Sequence, residues 1–293
     1  MKSIGVTGST GFVGQRFLEF NKGRYGIVPL DLRNTATASL DLKGLDAILH
    51  LAGKAHQMTP IDEQIYFDVN TTLSKELAIA AKAAGVKQFV YISSTKVYGD
   101  DPIAALNEES ECRPSDAYGL SKLQAEQEVQ QLEGPGFSVA IIRPPLVYGP
   151  RVKGNMIRLL NLAAKKLPLP FGRSGNARSM VFIDNLVALI NTTIDQQAAG
   201  VFLAGDAKPV ETSVLIKLMR KELGNPYPLV AIPGFLRSIM KKYKPGLYTR
   251  LFGSFVADNS ATNQRLHFTP PFSTAEGVSK MVAWFKEEKS LTA

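Results

Sequence analysis

The sequence predicts an α/β fold: a doubly wound parallel sheet with a smaller C-terminal lobe. Three observations predict it. Short apolar runs alternate with helically spaced segments through the first two-thirds of the 293 residues. A glycine-rich turn, Thr7-Gly-Ser-Thr-Gly-Phe-Val-Gly14, joins the first apolar run to the first helical segment. After Tyr148 the alternation breaks, and Gly and Pro become frequent.

The elements follow in order. Residues 3–6 read as the first strand, 12–20 as a helix, 25–30 as the second strand and 47–51 as the third. Residues 69–84 have helical spacing and stop at Gly85, a C-cap residue. A strand at 88–92 precedes a helix at 118–132, which Gly134-Pro135-Gly136 ends. A strand at 138–142 is stopped by Arg143-Pro144-Pro145. Helices at 156–166 and 185–193 and a strand at 201–204 follow, and the remainder reads as helices and loops. The interval 31–46 is too short for a full crossover helix, so that side of the sheet is expected to be pared down.

The glycine turn carries the first functional signal. Gly8 permits a sharp turn, Gly11 lets the backbone approach a pyrophosphate, and Gly14 lets helix and strand pack closely. The N–H groups opening the helix then face the phosphates. Residues 1–150 therefore read as a dinucleotide-binding Rossmann domain, with a return segment near 179–204. Residues 151–178 and 205–293 read as the smaller, substrate-binding lobe over the sheet's carboxyl edge. Asp31 ends the second strand, where a carboxylate accepts from an adenosine ribose and repels a 2′-phosphate, favouring NAD. Arg33, two residues on, would hold that phosphate instead and keeps NADP open.

Composition bounds the rest. Hydrophobic residues make up 45% and charged residues 20%, which is ordinary for a globular chain and excludes disorder. No run of apolar residues is long enough to span a bilayer as a helix. The chain opens on a strand rather than a signal peptide, and Cys112 is its one cysteine; both point to the cytoplasm. The formal net charge of +8 favours anionic partners. The cations are mostly scattered, with one denser run at Lys241, Lys242 and Lys244 that reads as a solvated face. No zinc-ligand spacing or RNA-binding aromatic signature accompanies the charge, so no metal, nucleic-acid or membrane partner is expected.

Tyr118 and Lys122 are four apart on a helical segment and share one face. A tyrosine hydroxyl is a poor base near neutrality; an adjacent ammonium and a positive nicotinamide ring would lower its pKa. Tyr118 would then exchange a proton with a sugar hydroxyl as hydride moves at the same carbon. Ser93-Ser94-Thr95 ends the preceding strand at the edge where the nicotinamide would lie, and a hydroxyl there would bond the reacting oxygen.

These pieces together resemble the extended short-chain dehydrogenase/reductases of the nucleotide-sugar epimerase/dehydratase family. The matching stretches are the glycine turn, Asp46-Ala-Ile-Leu-His-Leu-Ala-Gly53, Asp68-Val-Asn70, Ser93-Ser-Thr-Lys-Val-Tyr-Gly99, Tyr118-Gly-Leu-Ser-Lys122 and Arg143-Pro-Pro-Leu-Val-Tyr-Gly-Pro150. The resemblance implies Ser94, Tyr118 and Lys122 as the catalytic set. Around the cofactor it implies Gly8, Thr10, Gly11, Phe12, Val13, Gly14, Asp31, Arg33 and Ser93, with Asp41 and Leu42 approaching the adenine. Leu51, Ala52 and Gly53 would line the pyrophosphate path, Asn70 would support the active-site helix, and Pro144 would sit near the nicotinamide. For the sugar nucleotide it implies Ser94, Thr95, Asn155, Phe171, Arg178 and Arg250, with Arg178 on the diphosphate, where bidentate pairing suits a guanidinium.

One departure matters: sugar 4,6-dehydratases of the family carry an Asp-Glu pair where this chain has Thr95 and Lys96, so dehydration is not expected. Later stretches resemble the UDP-4-keto-6-deoxy-N-acetylhexosamine C4-reductases, a subgroup close to the UDP-glucose 4-epimerases. The resemblance thus implies redox chemistry at C4 of a UDP-hexose or UDP-N-acetylhexosamine. A 4-keto reductase in surface-polysaccharide precursor synthesis is placed first, a 4-epimerase beside it, and a non-catalytic dinucleotide sensor third. A homodimer through the helices at 69–84 and 118–132 is the family expectation.

Overall fold

The computed structural model describes residues 1–55, 62–100, 102, 104–231 and 233–291, without the side chains at 236, 237, 245, 247, 250 and 291. β1 (Ser3–Thr7) leads through the glycine turn into α1 (Phe12–Phe20) and on to β2 (Gly26–Leu30). A 3-10 turn at Thr37–Ser39 precedes β3 (Ala47–His50), so the interval expected to be pared down holds little else. A single turn, α2 (Gln64–Tyr66), continues through a π-helical stretch at Phe67–Thr72 into α3 (Leu73–Ala83). β4 (Gln88–Ile92), a 3-10 turn at Thr95–Tyr98, α4 (Ala117–Gln130), β5 (Ser138–Arg143) and β6 (Leu146–Tyr148) follow. Then come α5 (Gly154–Ala163), β7 (Met180–Phe182), α6 (Ile183–Asp195) and β8 (Gly200–Leu203). The chain closes with α7 (Thr212–Leu223), α8 (Gly234–Tyr243), α9 (Pro245–Phe252), α10 (Ser260–Arg265) and α11 (Thr274–Leu291).

The main sheet is parallel throughout, in the order β2-β1-β3-β4-β5-β8. The chain builds outward from β1 to β2 and then crosses to β3 on the other side. That reversal opens a crevice between the carboxyl ends of β1 and β3, where ligands bind in such sheets. Alternation along the strands divides the packing. Val6, Val90 and Ile142 join the core containing Phe17 of α1 and Leu186 and Ile190 of α6. Ile48, Tyr91 and Ile141 join the core containing Leu77 and Ala81 of α3 and Ala125 and Val129 of α4. A further core gathers Tyr148, Met156, Leu160, Ile216, Met219, Val278 and Phe285, and so brings β6, α5, α7 and α11 together.

Two elements differ from the sequence reading. The helix expected from residue 69 starts upstream, because the π-helical stretch holds an extra residue and breaks the 3.6 period there. The short parallel pair β6–β7, with Leu146 opposite Met180 and Tyr148 opposite Phe182, was not foreseen. Three residues per strand leave no readable alternation, and the prolines before β6 read as a stop.

Candidate active site

A groove of about 960 Å³ runs past the carboxyl ends of β1, β2 and β3. Its floor is the glycine turn. Gly8 has a φ of +64°, and a Cβ there would stand 2.7 Å from the Ala52 nitrogen. A Cβ on Gly14 would stand 2.2 Å from the Gly8 oxygen, so only glycine lets α1 seat against the turn. At Gly11 an added Cβ would meet only the Gly8 oxygen, at 3.1 Å, and would otherwise fill open space. The first intrahelical bond of α1 is Gln15 N–H to the Gly11 oxygen, at 2.9 Å. The N–H groups of Phe12, Val13 and Gly14 precede it and are available to an anion.

The groove is lined by Gly8, Thr10, Gly11, Asp31, Arg33, Leu51, Ala52 and Gly53, as the sequence reading expected. The side chains of Phe12 and Val13 point elsewhere. Phe12 lies beside Pro150 and Trp284, and Val13 packs on the sheet core. Any contribution of these two to a ligand is therefore through their backbone. Asp41 and Leu42 are not among the groove-lining residues. The Leu42 side chain is committed to the core with Leu30, Leu45 and Ile48, so any approach of this residue to an adenine is through its backbone. Asp31 is exposed and accepts from the Arg33 N–H at 2.9 Å and from Asn34 Nδ2 at 2.8 Å; these bonds hold its carboxyl below the usual range. Lys54 and Lys153 also line the groove and were missed. Lys153 follows β6, so no local pattern ties it to the glycine turn.

A buried relay connects the turn to the active-site helices. Thr7 Oγ1 accepts from the N–H groups of Leu51 and Ala52, at 3.2 and 3.1 Å. Its own proton then goes to His50 Nδ1, at 2.7 Å. His50 Nε2 donates to Ser74 Oγ at 2.8 Å, and Ser74 donates to the Asn70 carbonyl at 2.6 Å. This assignment needs a neutral imidazole, and burial pushes the His50 pKa down to about 3. Asn70 lies in the π-helical stretch, a feature frequent at functional sites. Its Oδ1 accepts from the Lys54 N–H at 2.8 Å, and its Nδ2 donates to Ser121 Oγ at 3.0 Å. These bonds tie the loop after β3 to α4.

Ser94, Tyr118 and Lys122 converge beyond the end of β4. Asp116 caps α4, accepting from the Gly119 N–H at 2.7 Å, and so fixes Tyr118 in the first turn. The Ser94 hydroxyl is hydrogen-bonded to the Tyr118 side chain, and the Tyr66 ring meets the Tyr118 ring edge-on at 5.9 Å. Desolvation pushes the Tyr118 hydroxyl up to about 12, against the lowering effect of Ser94. Lys122 is buried. Its Nζ donates to the Ile92 carbonyl at 2.9 Å and lies 4.6 Å from the centre of the Tyr91 ring. Burial lowers its pKa to about 8.

Lys122 is not among the groups that move Tyr118; its ammonium is turned toward the Ile92 carbonyl and the Tyr91 ring. Thr95 is buried, and its N–H donates to the Pro144 carbonyl at 3.0 Å, which places Pro144 beside the site. Lys96 pairs with Asp116 at 2.8 Å and with Asp100. Behind them the buried Arg143 and Glu126 pair at 2.5 Å, and Arg143 donates to the Tyr98 hydroxyl at 2.6 Å; this joins β5, α4 and the turn after Ser94.

A second cavity, of about 300 Å³, is lined by Asn155, Arg158, Arg178, Met180 and Thr212 among others. Bridges to Val210 and Phe255 fix the Arg178 backbone. Its Nη1 donates to the carbonyls of Thr249 and Gly253, at 3.2 and 3.1 Å, and no carboxylate pairs with it among the described residues. A half-buried guanidinium held only by carbonyls retains its charge for an anionic ligand. Phe171 does not reach this cavity; it is 4% exposed and stacks on Phe252 at 5.8 Å, so the expected nucleotide contact is corrected to a core role. The side chain of Arg250 lies outside the described residues.

The residues present fit a dinucleotide. The open space at Gly11 and the N–H groups opening α1 suit a pyrophosphate. The buried Ser93 Oγ, at the end of β4, has no hydrogen-bond partner among the described residues, and a ligand would satisfy it.

Comparison with known proteins agrees with this geometry. The profile of the NAD dependent epimerase/dehydratase family matches residues 4–205. A UDP-glucose 4-epimerase of Vibrio cholerae is 34% identical over 97% of this chain and 95% of its own length. An N-acetyl-alpha-D-glucosaminyl-diphospho-ditrans,octacis-undecaprenol 4-epimerase of Escherichia coli O157:H7 is 26% identical over 95% of this chain and 94% of its own. Among solved structures, UDP-glucuronic acid 4-epimerase from Bacillus cereus in complex with NAD superposes with a TM-score of 0.76 at 20% identity. That match covers 98% of this chain and 99% of the other, and it supports the fold.

Proposed function

The chain belongs to the NAD-dependent epimerase/dehydratase family, and from that premise we propose that it is a 4-epimerase of a UDP-linked hexose or N-acetylhexosamine. The observation that carries this is the meeting of Ser94, Tyr118 and Lys122 at the end of β4, in a chain that also has a groove at its glycine turn and a cavity lined by Arg178. Two relatives described above, both 4-epimerases that match nearly the whole chain, support epimerisation over the 4-keto reduction that the sequence reading put first.

Bound NAD supplies a hydride acceptor, and later a hydride donor, at C4 of the sugar. The side chains of this protein do the rest. Tyr118 takes the proton from O4 as the C4–H bond breaks and returns it when that bond re-forms on the opposite face. With its hydroxyl held near 12 in the ligand-free chain, Tyr118 needs added positive charge before it acts as a base. Lys122 supplies part of that charge once its ammonium turns from the Ile92 carbonyl toward the substrate side. Ser94 orients the Tyr118 hydroxyl and shares its hydrogen bond with O4. Arg178 grips the diphosphate while the 4-keto sugar turns over, which keeps the intermediate in the site. Asp31 at the groove rim disfavours a 2′-phosphate, so NAD is placed ahead of NADP.

We further propose a homodimer in the cytoplasm. Ile79 and Leu120 are exposed on α3 and α4, the two helices expected to pair. No helix among the described residues is long and apolar enough to cross a membrane.

The test is turnover without added reductant. UDP-glucose or UDP-N-acetylglucosamine should equilibrate with its C4 epimer, with no net change in absorbance at 340 nm. The Tyr118→Phe variant should lose about a hundredfold or more in rate while still binding NAD. Stoichiometric NADH oxidation by UDP-4-keto-6-deoxy-N-acetylglucosamine, with no epimerisation of either sugar, would make the protein a reductase instead.

A further inference from the structure

We infer that helix α8 docks this protein onto an anionic lipid bilayer. The inference stands apart from the proposed chemistry, since it concerns a surface that neither the groove nor the Arg178 cavity uses. It also reverses the expectation of no membrane partner.

The first observation is an unpartnered apolar stripe. Phe235, Ile239 and Tyr243 are spaced four apart on α8 and so share one face. They are 65%, 50% and 70% exposed. Met240, on another face, packs into the core of β6, α5, α7 and α11, so α8 is anchored with this stripe outward. Three more exposed apolar residues, Leu167, Tyr227 and Val230, lie on the loops that lead to it. Arg220 holds those loops together: its guanidinium donates to the carbonyls of Leu167, Tyr227 and Pro228. Val230 pairs with Leu169 across the same junction. The loops that carry Leu167, Tyr227 and Val230 are therefore packed together just ahead of α8.

The second observation is charge, and it selects the occupant. Between Glu222 and Asp258 the chain has no acidic residue, while Arg237, Lys241, Lys242, Lys244 and Arg250 all fall there. Between Glu133 and Asp184 there is again no acidic residue, and that stretch supplies the exposed Lys165 and Lys166 beside Leu167. Lys242 lies over the Tyr243 ring at 5.4 Å, so the cation sits at the edge of the apolar stripe. An exposed aromatic and aliphatic stripe beside a lysine, in a stretch of chain that carries cations and no acidic residue of its own, matches the interfacial region of a bilayer with anionic headgroups. Apolar side chains enter the acyl boundary there while ammonium groups stay among phosphates. The next helix, α9, packs on α8, and its Thr249 carbonyl holds Arg178. Docking through α8 would thus bring the Arg178 cavity close to the membrane.

The test uses the full chain and vesicles, with no substrate. In low salt the protein should co-sediment with phosphatidylcholine–phosphatidylglycerol vesicles and much less with phosphatidylcholine alone. Replacing Lys241, Lys242 and Lys244 by Gln should weaken binding by about a hundredfold. Phe235→Ser combined with Ile239→Ser and Tyr243→Ser should weaken it at least tenfold, by roughly the loss of interfacial apolar area. Both variants should keep wild-type turnover of a soluble UDP-sugar, which shows that they fold. In a Phe235→Trp variant the fluorescence should shift to the blue with anionic vesicles. Equal binding to both vesicle types, or undiminished binding by the serine variant, would overturn the inference. So would a serine variant that falls from dimer to monomer in sedimentation, since the stripe would then be an interface between copies.

Discussion

Lys122 donates from Nζ to the carbonyl oxygen of Ile92 at 2.9 Å, where β4 gives way to the active-site turn. That bond, together with the Tyr91 ring, holds an ammonium in a buried place at a cost. Desolvation lowers the Lys122 pKa from its ordinary 10.5 to about 8. Proton linkage then fixes the sign of a stability effect. Between pH 8 and 10.5 the unfolded chain binds more protons at this residue than the folded one, so stability from this group rises with pH; below 8 the burial cost is felt in full.

Comparing wild type with Lys122→Met isolates that contribution. The stability of the variant minus that of wild type should fall by about 2 to 3 kcal/mol from pH 7 to pH 10 in denaturant titrations. A difference independent of pH would mean that Lys122 titrates as an exposed lysine does.

Gly53 is held to glycine by its neighbours. A Cβ there would stand 2.9 Å from Asn70 Oδ1 and 3.2 Å from Lys122 Nζ. Asn70 cannot yield easily, because Lys54 and Ser121 both bond it. In Gly53→Ala, kcat should fall roughly tenfold or more through misplacement of the lysine, with KM for the UDP-sugar little changed. Steady-state kinetics decide it; an unchanged kcat would show that Lys122 has slack.

The Arg143–Glu126 pair is buried on both sides, with side chains 7% and 3% exposed. Removing one partner strands a charge, so Glu126→Leu should cost about 3 to 5 kcal/mol. Arg143→Met with Glu126→Leu should recover much of that loss. A double-mutant cycle by chemical denaturation measures both. Additive losses would show that the pair is not coupled.

Much of the proposed catalytic set could be picked out because it is local. Tyr118 and Lys122 lie one helical turn apart, and the glycine turn is a single stretch whose spacing states its own backbone requirements. Ser94 was legible from its place at the end of a strand. Lys153 was not, because it reaches the groove from beyond β6. Phe171 misled because a side chain near a ligand loop was read as a contact, whereas the cavity wall decides whether an aromatic ring faces a ligand or a core.

The sequence alone determined the alternation of strands and helices, the phosphate-facing turn and the presence of a Tyr–Lys pair. Those follow from periodicity and from what individual residues permit over a few positions. The tertiary structure decided where the charges point. It turned Lys122 toward a carbonyl and an aromatic ring, closed the relay from Thr7 through His50 to Asn70, and set Arg178 on the carbonyls of Thr249 and Gly253. Such outcomes depend on desolvation and on contacts between distant segments, and both exist only after the chain has packed.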